Sequence, residues 1–219
     1  CLLLIPLLMR AKNNSIVLDI GANIGGCTAL LAASNMNVIA FEPSTKNLEC
    51  LRLNWDGEIR EFAVGDVNST VVFKDSAKNC GNGKVRLDLS TEGSAYEVEM
   101  VKLDDQNITD CSLIKIDVQG FEWQVIQGAQ NLIETQLPWV TVEPNKDITQ
   151  MVEFFFNRGY NFVEVNNLQL NILPSPMFIT NKDLREIFKL STKKPLMGRF
   201  YENQRKSQKI LINSDGTPK

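Results

Sequence analysis

An α/β fold, with a mostly parallel sheet covered by helices on both faces, is predicted by three features of the sequence. Short apolar runs alternate with helical stretches, a pattern that calls for right-handed crossovers between parallel strands. The first run, residues 15–20, ends in a glycine-rich turn that opens a helix. The core runs also end in carboxylates, at Asp19, Glu42, Asp66, Asp117 and Glu143, which is more than the capping of following loops requires. In such sheets ligands bind beyond the carboxyl ends of the strands, so these residues are the first candidates for function.

Each element follows from local pattern. Residues 15–20 (SIVLDI) form the first strand, and residues 28–34, rich in Ala and Leu, the first helix. Residues 38–41 are a second buried strand. After Pro43, Ser44 caps a helix that runs to Asn54 with apolar positions at Leu48, Leu51 and Leu53. Residues 59–64 are expected as the third strand. From about 66 to 112 the character changes: residues 71–73, 84–89 and 96–103 read as short strands between Gly and Asn, a β-rich insertion. Residues 113–118 (LIKIDV) are the fourth core strand, 121–134 a helix and 139–142 the fifth strand. A helix over 148–158 and Gly159 then feed a hairpin of residues 161–165 and 168–173.

The length of 219 residues fits one large domain, expected over 1–173, and an extension over 174–219. That extension holds ten Lys or Arg against four Asp or Glu, whereas the rest of the chain holds 13 against 22. It reads as a solvated basic tail with a helix over residues 182–190. The acidic main domain lacks a basic stripe, which argues against nucleic acid as a partner. Histidine is absent, so any proton transfer falls to Asp, Glu, Lys, Tyr, Cys or water. The five cysteines, Cys1, Cys27, Cys50, Cys80 and Cys111, form no CxxC pair and are expected to be mostly reduced thiols. Sequons at Asn13, Asn68 and Asn107 are about as many as chance supplies and do not establish secretion. Residues 1–9 are apolar but interrupted by Pro6 and fall well short of the roughly 20 residues that span a bilayer. They are expected to end a helix covering the sheet, with the remnant of a signal segment as the alternative. No transmembrane segment is present in this reading, and a cytoplasmic location is expected. Because the chain opens with Cys1, it is expected to be a fragment of something longer.

The turn after the first strand, Asp19-Ile20-Gly21-Ala22-Asn23-Ile24-Gly25-Gly26, sits where a Rossmann-like sheet holds its cofactor. Its glycines allow a tight turn whose backbone N–H groups face an anion. A dinucleotide fingerprint needs Gly at the middle position, where this chain has Asn23. Asp19 would repel a diphosphate. A zwitterionic amino-acid moiety answers both objections, its carboxylate taking loop N–H groups while its ammonium is favoured by Asp19. S-adenosylmethionine carries that moiety. Glu42, at the end of the second strand, is placed to accept from the ribose 2′- and 3′-hydroxyls, as in any adenosine site.

Asp19 to Gly25 (DIGANIG), Phe41-Glu42-Pro43, Asn54, Ala63-Val64-Gly65-Asp66 and residues 113–129 (LIKIDVQGFEWQVIQGA) together resemble the FkbM family of S-adenosylmethionine-dependent methyltransferases. The similarity covers residues 2–173, and the KID-V-[EQ]-G-xE block is its most specific part. Gln119 stands where the commoner family form has Glu, which removes a charge. The resemblance implies a class I methyltransferase fold with strand order 3-2-1-4-5-7-6 and methylation of an oxygen, often of a sugar hydroxyl. It implies that Asp19, Gly21, Asn23 and Gly25 hold the methionine end, Glu42 the ribose, and Ala63 and Val64 the adenine edge. Family domains are often fused to glycan-building modules, so the chain is expected to belong to a larger glycan-modifying protein.

A sugar hydroxyl has a high pKa, so a base aids its methylation. Lys115 and Asp117, two apart on one expected strand, would face the same way, Lys115 keeping Asp117 charged. Asp117 is therefore the expected base and Glu143 its competitor, with a buried structural Lys115–Asp117 pair as the alternative. Glu122 reads as a first-turn helix carboxylate. A Mg²⁺ site built on these acids is a minority reading, and no metal ligand is assigned. Trp123, Trp139 and Phe154 to Phe156 read as core, and the Gly- and Asn-rich loops of residues 75–91 as the acceptor wall. A sugar O-methyltransferase, a methyltransferase of a non-sugar metabolite and a catalytically silent cofactor-binding module all remain open.

Overall fold

The computed structural model describes residues 14–33, 36–75, 83–86, 95–143, 147–165 and 169–174. In chain order the elements are β1 (Ile16–Ile20), α1 (Gly26–Ala32), β2 (Asn37–Phe41), α2 (Thr45–Asn54), β3 (Glu58–Arg60), β4 (Ala63–Val64), β5 (Ser69–Lys74), β6 (Lys84–Arg86) and β7 (Ala95–Val101). A 3₁₀ turn (Leu103–Asp105) precedes β8 (Cys111–Ile116), α3 (Glu122–Gln127), α4 (Gln130–Gln136), β9 (Trp139–Val142), α5 (Ile148–Phe156), β10 (Tyr160–Val165) and β11 (Gln169–Pro174). The expectations for residues 1–9 and for the extension beyond 174 lie outside the described residues.

The main sheet runs β3-β2-β1-β8-β9-β11-β10, which is 3-2-1-4-5-7-6 when its own seven strands are counted along the chain. Strands β1, β2, β3, β8 and β9 are parallel, and the β10–β11 hairpin pairs antiparallel along β9. Side chains alternate across the strands, so each strand feeds two cores. Leu18, Ile20, Phe41, Ile114, Ile116 and Val140 pack on one face against Val125 and Ile126 of α3, Ile133 of α4 and Met151 and Phe155 of α5. On the other face Val17, Val38, Leu113 and Trp139 meet Leu31 of α1, and Ala40 meets Leu48 and Leu51 of α2. The buried aromatics Trp139, Phe154 and Phe155 are core, and Trp123 packs edge-on against Phe154. The side chain of Phe156 is outside the described set.

Three expectations are corrected. Residues 59–64 do not form one strand: β3 closes the main sheet, while β4 joins a second sheet, β4-β7-β5-β6, so the β-rich insertion begins at Ala63. The helix expected over 121–134 breaks at Gly128, whose carbonyl accepts from the Asp104 N–H at 2.9 Å, and a Cβ there would lie 1.8 Å from the Gly65 carbonyl oxygen, so the close approach requires glycine. Asp104 then caps the second piece, accepting from the backbone of Asn131 and Leu132 at 3.0 and 2.9 Å. On α2, Leu48 and Leu51 are buried but Leu53 is 87% exposed, since two residues past Leu51 is more than half a turn around the helix. Ser44 caps this helix as expected, its hydroxyl accepting from the Asn47 N–H.

The described cysteines depart from the mostly reduced expectation at one position. Cys27 is disulfide-bonded, while Cys50 and Cys111 are free. Burial pushes the Cys111 thiol up to about 12, which keeps it a neutral core group. Among the described residues no helix is long and apolar enough to cross a membrane.

Candidate active site

Because β1 lies between β2 and β8, the loops leaving these three parallel strands stand side by side and border an open cleft. Its wall takes Gly21 and Asn23 from the first loop, Glu42, Pro43 and Asn47 from the second, and Asp117, Val118, Gln119 and Phe121 from the third. The second sheet adds Ala63, Val64, Phe73 and Val85.

Steric limits shape the first loop. Gly21 has a φ of +78°, and a Cβ on it would sit 2.0 Å from the Asp117 carbonyl oxygen, so a side chain here would force the β1 and β8 loops apart. Asn23 is also left-handed, with φ +54°, a conformation Asn tolerates better than most residues. Its N–H donates to Glu42 Oε2 at 2.8 Å. Its side-chain Oδ1 is shielded from water and, among the described residues, has no hydrogen-bond partner. The Asn54 amide donates to the Ile24 carbonyl at 2.7 Å and ties the loop to the end of α2.

Glu42 is 4% exposed. Besides Asn23, its carboxylate accepts from the Ser44 N–H at 2.9 Å and the Asn47 side-chain amide at 3.2 Å. These three donors leave about one of its roughly four acceptor positions open, fewer than the pair expected for two ribose hydroxyls. Burial pushes the carboxyl above the usual range, against the opposing pull of the Ser44 and Asn23 N–H groups, the Asn47 amide and the Lys115 charge.

Asp19 and Lys115 occupy places the sequence reading did not assign them. They are register neighbours on β1 and β8, and the Lys115 ammonium lies 2.9 Å from Asp19 Oδ1 but 3.9 Å from Asp117 Oδ2. It also donates to the Gly21 carbonyl at 3.0 Å. Thr28 of α1 donates to the other Asp19 oxygen at 2.7 Å. Asp19 is fully buried in this pair, off the cleft wall. The physical reason is that β8 ends at Ile116, so Asp117 belongs to the loop and the two-residue alternation of a strand no longer relates it to Lys115. Burial alone would lower the Lys115 pKa. The charge of Asp19, with Asp117, the Asp19 hydrogen bond and Glu42 behind it, outweighs burial, and the net direction is up.

At the third loop, the Gln119 side-chain amide donates to Asp117 Oδ1 at 3.2 Å and to Glu143 Oε2 at 3.3 Å. Burial, followed by the charges of Asp117 and Glu122, pushes the Glu143 carboxyl up. Glu122 opens α3, is 1% exposed, and accepts from the Gly120 N–H with both oxygens, at 3.0 and 3.1 Å. It is a loop-fixing group. Among the described residues no group of three or more Cys, Asp or Glu is arranged to hold a metal ion.

Of the residues singled out in the sequence, Gly21, Asn23, Glu42, Ala63, Val64 and Asp117 come together on the cleft wall, while Asp19, Gly25, Lys115 and Glu143 do not. Sequence reasoning missed Asn47, whose signal was its place three residues after the capping Ser44, in the helical turn nearest the end of β2. It also missed Phe73, which carries no local signal. Of the expected acceptor wall over 75–91, Gly83 and Val85 line the cleft, and residues 76–82 and 87–91 lie outside the described set.

A sheet of this order with a cleft over its first, second and fourth strands defines a class I methyltransferase fold. The structure of methyltransferase FkbM from Methylobacillus flagellatus KT matches with a TM-score of 0.53 and 16% identity, over 73% of this chain and 43% of that one. A model of the FkbM methyltransferase domain matches residues 19–162, and the chain belongs to that family, for which S-adenosylmethionine is the methyl donor. A putative tRNA (m1A22) methyltransferase, Sp1610 of Streptococcus pneumoniae, matches with a TM-score of 0.49 and 13% identity over 93% of this chain and 84% of that one. Precorrin-6y C5,15-methyltransferase from Geobacter metallireducens GS-15 matches with 0.45 and 17% over 76% and 82%. At 16% identity the likeness to the Methylobacillus flagellatus structure is one of fold. A second family model, for a deoxyribodipyrimidine photo-lyase-related protein, matches residues 129–219, most of which lie outside the described set. The chain spans under half the length of the FkbM structure it matches. No curated protein matches the sequence significantly.

Proposed function

We propose that the cleft binds S-adenosylmethionine and that the protein methylates a hydroxyl oxygen of a sugar or glycan. One observation carries the reading: Glu42 and Asp117 follow the strands on either side of β1 and line one cleft, the first buried, the second with 43% of its side chain exposed. A buried carboxylate suits a ligand held in one pose, and an exposed one suits an acceptor that comes and goes.

The residues on the wall fit the donor. The unpartnered Asn23 Oδ1 suits an ammonium, the open acceptor position on Glu42 a ribose hydroxyl, and the Val64 and Phe73 side chains on the wall the adenine edge. Gly21 keeps the loop backbone close to the methionine end. Asp19 and Lys115 act from beneath by fixing that loop, and Gly25 by letting it turn. When bound, S-adenosylmethionine supplies a sulfonium methyl group, whose carbon bonds to the acceptor oxygen while the C–S electron pair stays on sulfur. Asp117, with 43% of its side chain exposed and the Lys115 ammonium 3.9 Å away, takes the acceptor O–H proton. Glu143 is the competing base.

Incubation with S-adenosylmethionine and a carbohydrate panel, read by mass spectrometry, tests this directly. Methylated sugar with release of demethylated donor is expected. Methylation of only non-sugar hydroxyls would change the substrate class, and donor binding without consumption across both panels would make the protein a cofactor-binding module.

A further inference from the structure

We propose that Gln119 is a positioning residue whose amide holds Asp117 and Glu143 side by side as one shared proton site for the acceptor hydroxyl. The inference rests on the hydroxyl-acceptor reading above and assigns a task to a residue whose identity departs from the commoner family form.

The geometry of the loop carries it. Gln119 has φ +57°, and Gly120 after it φ +97°, so the chain reverses immediately beyond β8. The reversal is pinned on both sides: the Asp117 N–H donates to the Ile20 carbonyl at 3.0 Å, and the Gly120 N–H is held by Glu122. A non-glycine residue kept in this sparsely populated region is backed by its surroundings. The side chain is thereby turned so that its single NH₂, which has two hydrogens, meets an oxygen on each of two carboxylates, at 3.2 and 3.3 Å. A carboxylate at 119 offers no donor at neutral pH, and two acids brought this close without one repel.

Among the described residues, the charged groups acting on the pair are Lys115, Asp19, Glu42 and Glu122. Asp117 faces Lys115, whose ammonium is closer to Asp19 than to Asp117. Glu143 faces Asp117 and Glu122 and is pushed up by burial and by these charges, with the Gln119 hydrogen bond acting the other way. Glu42 acts on Lys115 from the far side of the β1 loop. The pair therefore joins an acid 3.9 Å from a cation to an acid with two carboxylates near it, and the one Gln119 amide donates to both. On methyl transfer the acceptor O–H bond breaks, its electron pair stays with the oxygen that takes the methyl, and the proton passes to this site.

The test uses two variants. Gln119→Glu preserves size and removes the donor. Gln119→Asn keeps a residue tolerant of positive φ but is one methylene too short to reach both acids. In protein with ¹³C-labelled Glu carboxyls, saturated with S-adenosylmethionine, Glu143 is expected to titrate higher in both variants, by about one pH unit in Gln119→Glu. The acidic limb of the kcat–pH profile should move with it, with KM for S-adenosylmethionine unchanged. Identical Glu143 titration in the wild type and both variants overturns the proposal. A titration that moves in both variants, where the wild type methylates no hydroxyl, supports the shared site and removes the hydroxyl-acceptor reading instead.

Discussion

Glu42 and Asp117 occupy equivalent places, one loop to either side of β1, yet their surroundings were built differently. Around Glu42 the protein supplies two backbone N–H groups and an amide to a carboxylate that water barely reaches. Around Asp117 it supplies one side-chain amide and a distant ammonium, and leaves much of the side chain in solvent. A buried carboxylate without donors would cost several kcal/mol, so the Glu42 side had to be assembled completely to exist at all. The Asp117 side is under no such obligation, and its partners are free to serve chemistry.

The largest effect is expected beneath the loops, where both halves share Lys115. Lys115→Met removes the only ammonium within ion-pair distance of the buried Asp19 among the described residues. A buried pair broken from one side typically loses about 3–5 kcal/mol, and urea unfolding should show a loss of that size. The double variant Asp19→Asn, Lys115→Met should recover much of it, since no charge is then stranded. A loss below about 1 kcal/mol in Lys115→Met would mean that Asp19 does not depend on this partner.

Next in size is a crossed pair of kinetic effects that separates the two sides. Asp117→Asn should lower turnover roughly 100-fold, the lower range for loss of a general base, with donor affinity within about twofold. Glu42→Ala should do the reverse, weakening donor binding about tenfold or more through loss of a charged acceptor, a change of roughly 1.5–3 kcal/mol. Calorimetry for binding and single-turnover rates at saturating donor resolve the two. If either variant changes both quantities alike, the division of labour along the cleft fails.

Much of this contrast was legible in sequence, and unevenly so. The Gly21-to-Glu42 half is fixed by local constraints: a strand, a turn that only glycine and Asn follow, a second strand ending in an acid, and a Ser cap behind it. The Asp117 half depends on where β8 stops, and a strand boundary one or two residues early redirects every side chain after it. Lys115 was paired in sequence with Asp117, which lies 3.9 Å away, and its closer partner Asp19, at 2.9 Å, was missed because the two are joined by register between strands far apart in the chain. Gly128 was visible as a glycine in a helical stretch, but nothing local says that the Gly65 carbonyl occupies the space of its missing side chain.

A pH effect smaller than either substitution should distinguish the halves again. The Glu42 carboxyl is raised above its ordinary 4.5 by burial, so the folded protein binds its proton more readily than the unfolded chain does. Between 4.5 and the raised value the group's contribution to stability therefore falls as pH rises. Donor affinity should move oppositely, rising through the same window as the carboxylate that accepts from ribose becomes charged. Titrating donor affinity against pH in the wild type and in Glu42→Gln checks this: the dependence should flatten in the variant, and an unchanged slope would assign it elsewhere.

The smallest effect concerns how rigid the first loop must be. Asn54 contributes a hydrogen bond from the exposed end of α2 to the Ile24 carbonyl at 2.7 Å, with no contact to the cleft wall. Removing it in Asn54→Ala should cost about 1 kcal/mol of stability, the usual worth of a partly solvated bond. If Asn23 and Gly21 hold the donor by being already in place, part of that loss should reappear in binding, as a several-fold weaker donor affinity with turnover at saturation unchanged. The loop would then have to be ordered by the ligand, at the ligand's expense. Equal affinity in wild type and Asn54→Ala would show that the glycine turn and the Glu42 carboxylate hold the loop without help from the helix, and that the completeness seen around Glu42 is sufficient on its own.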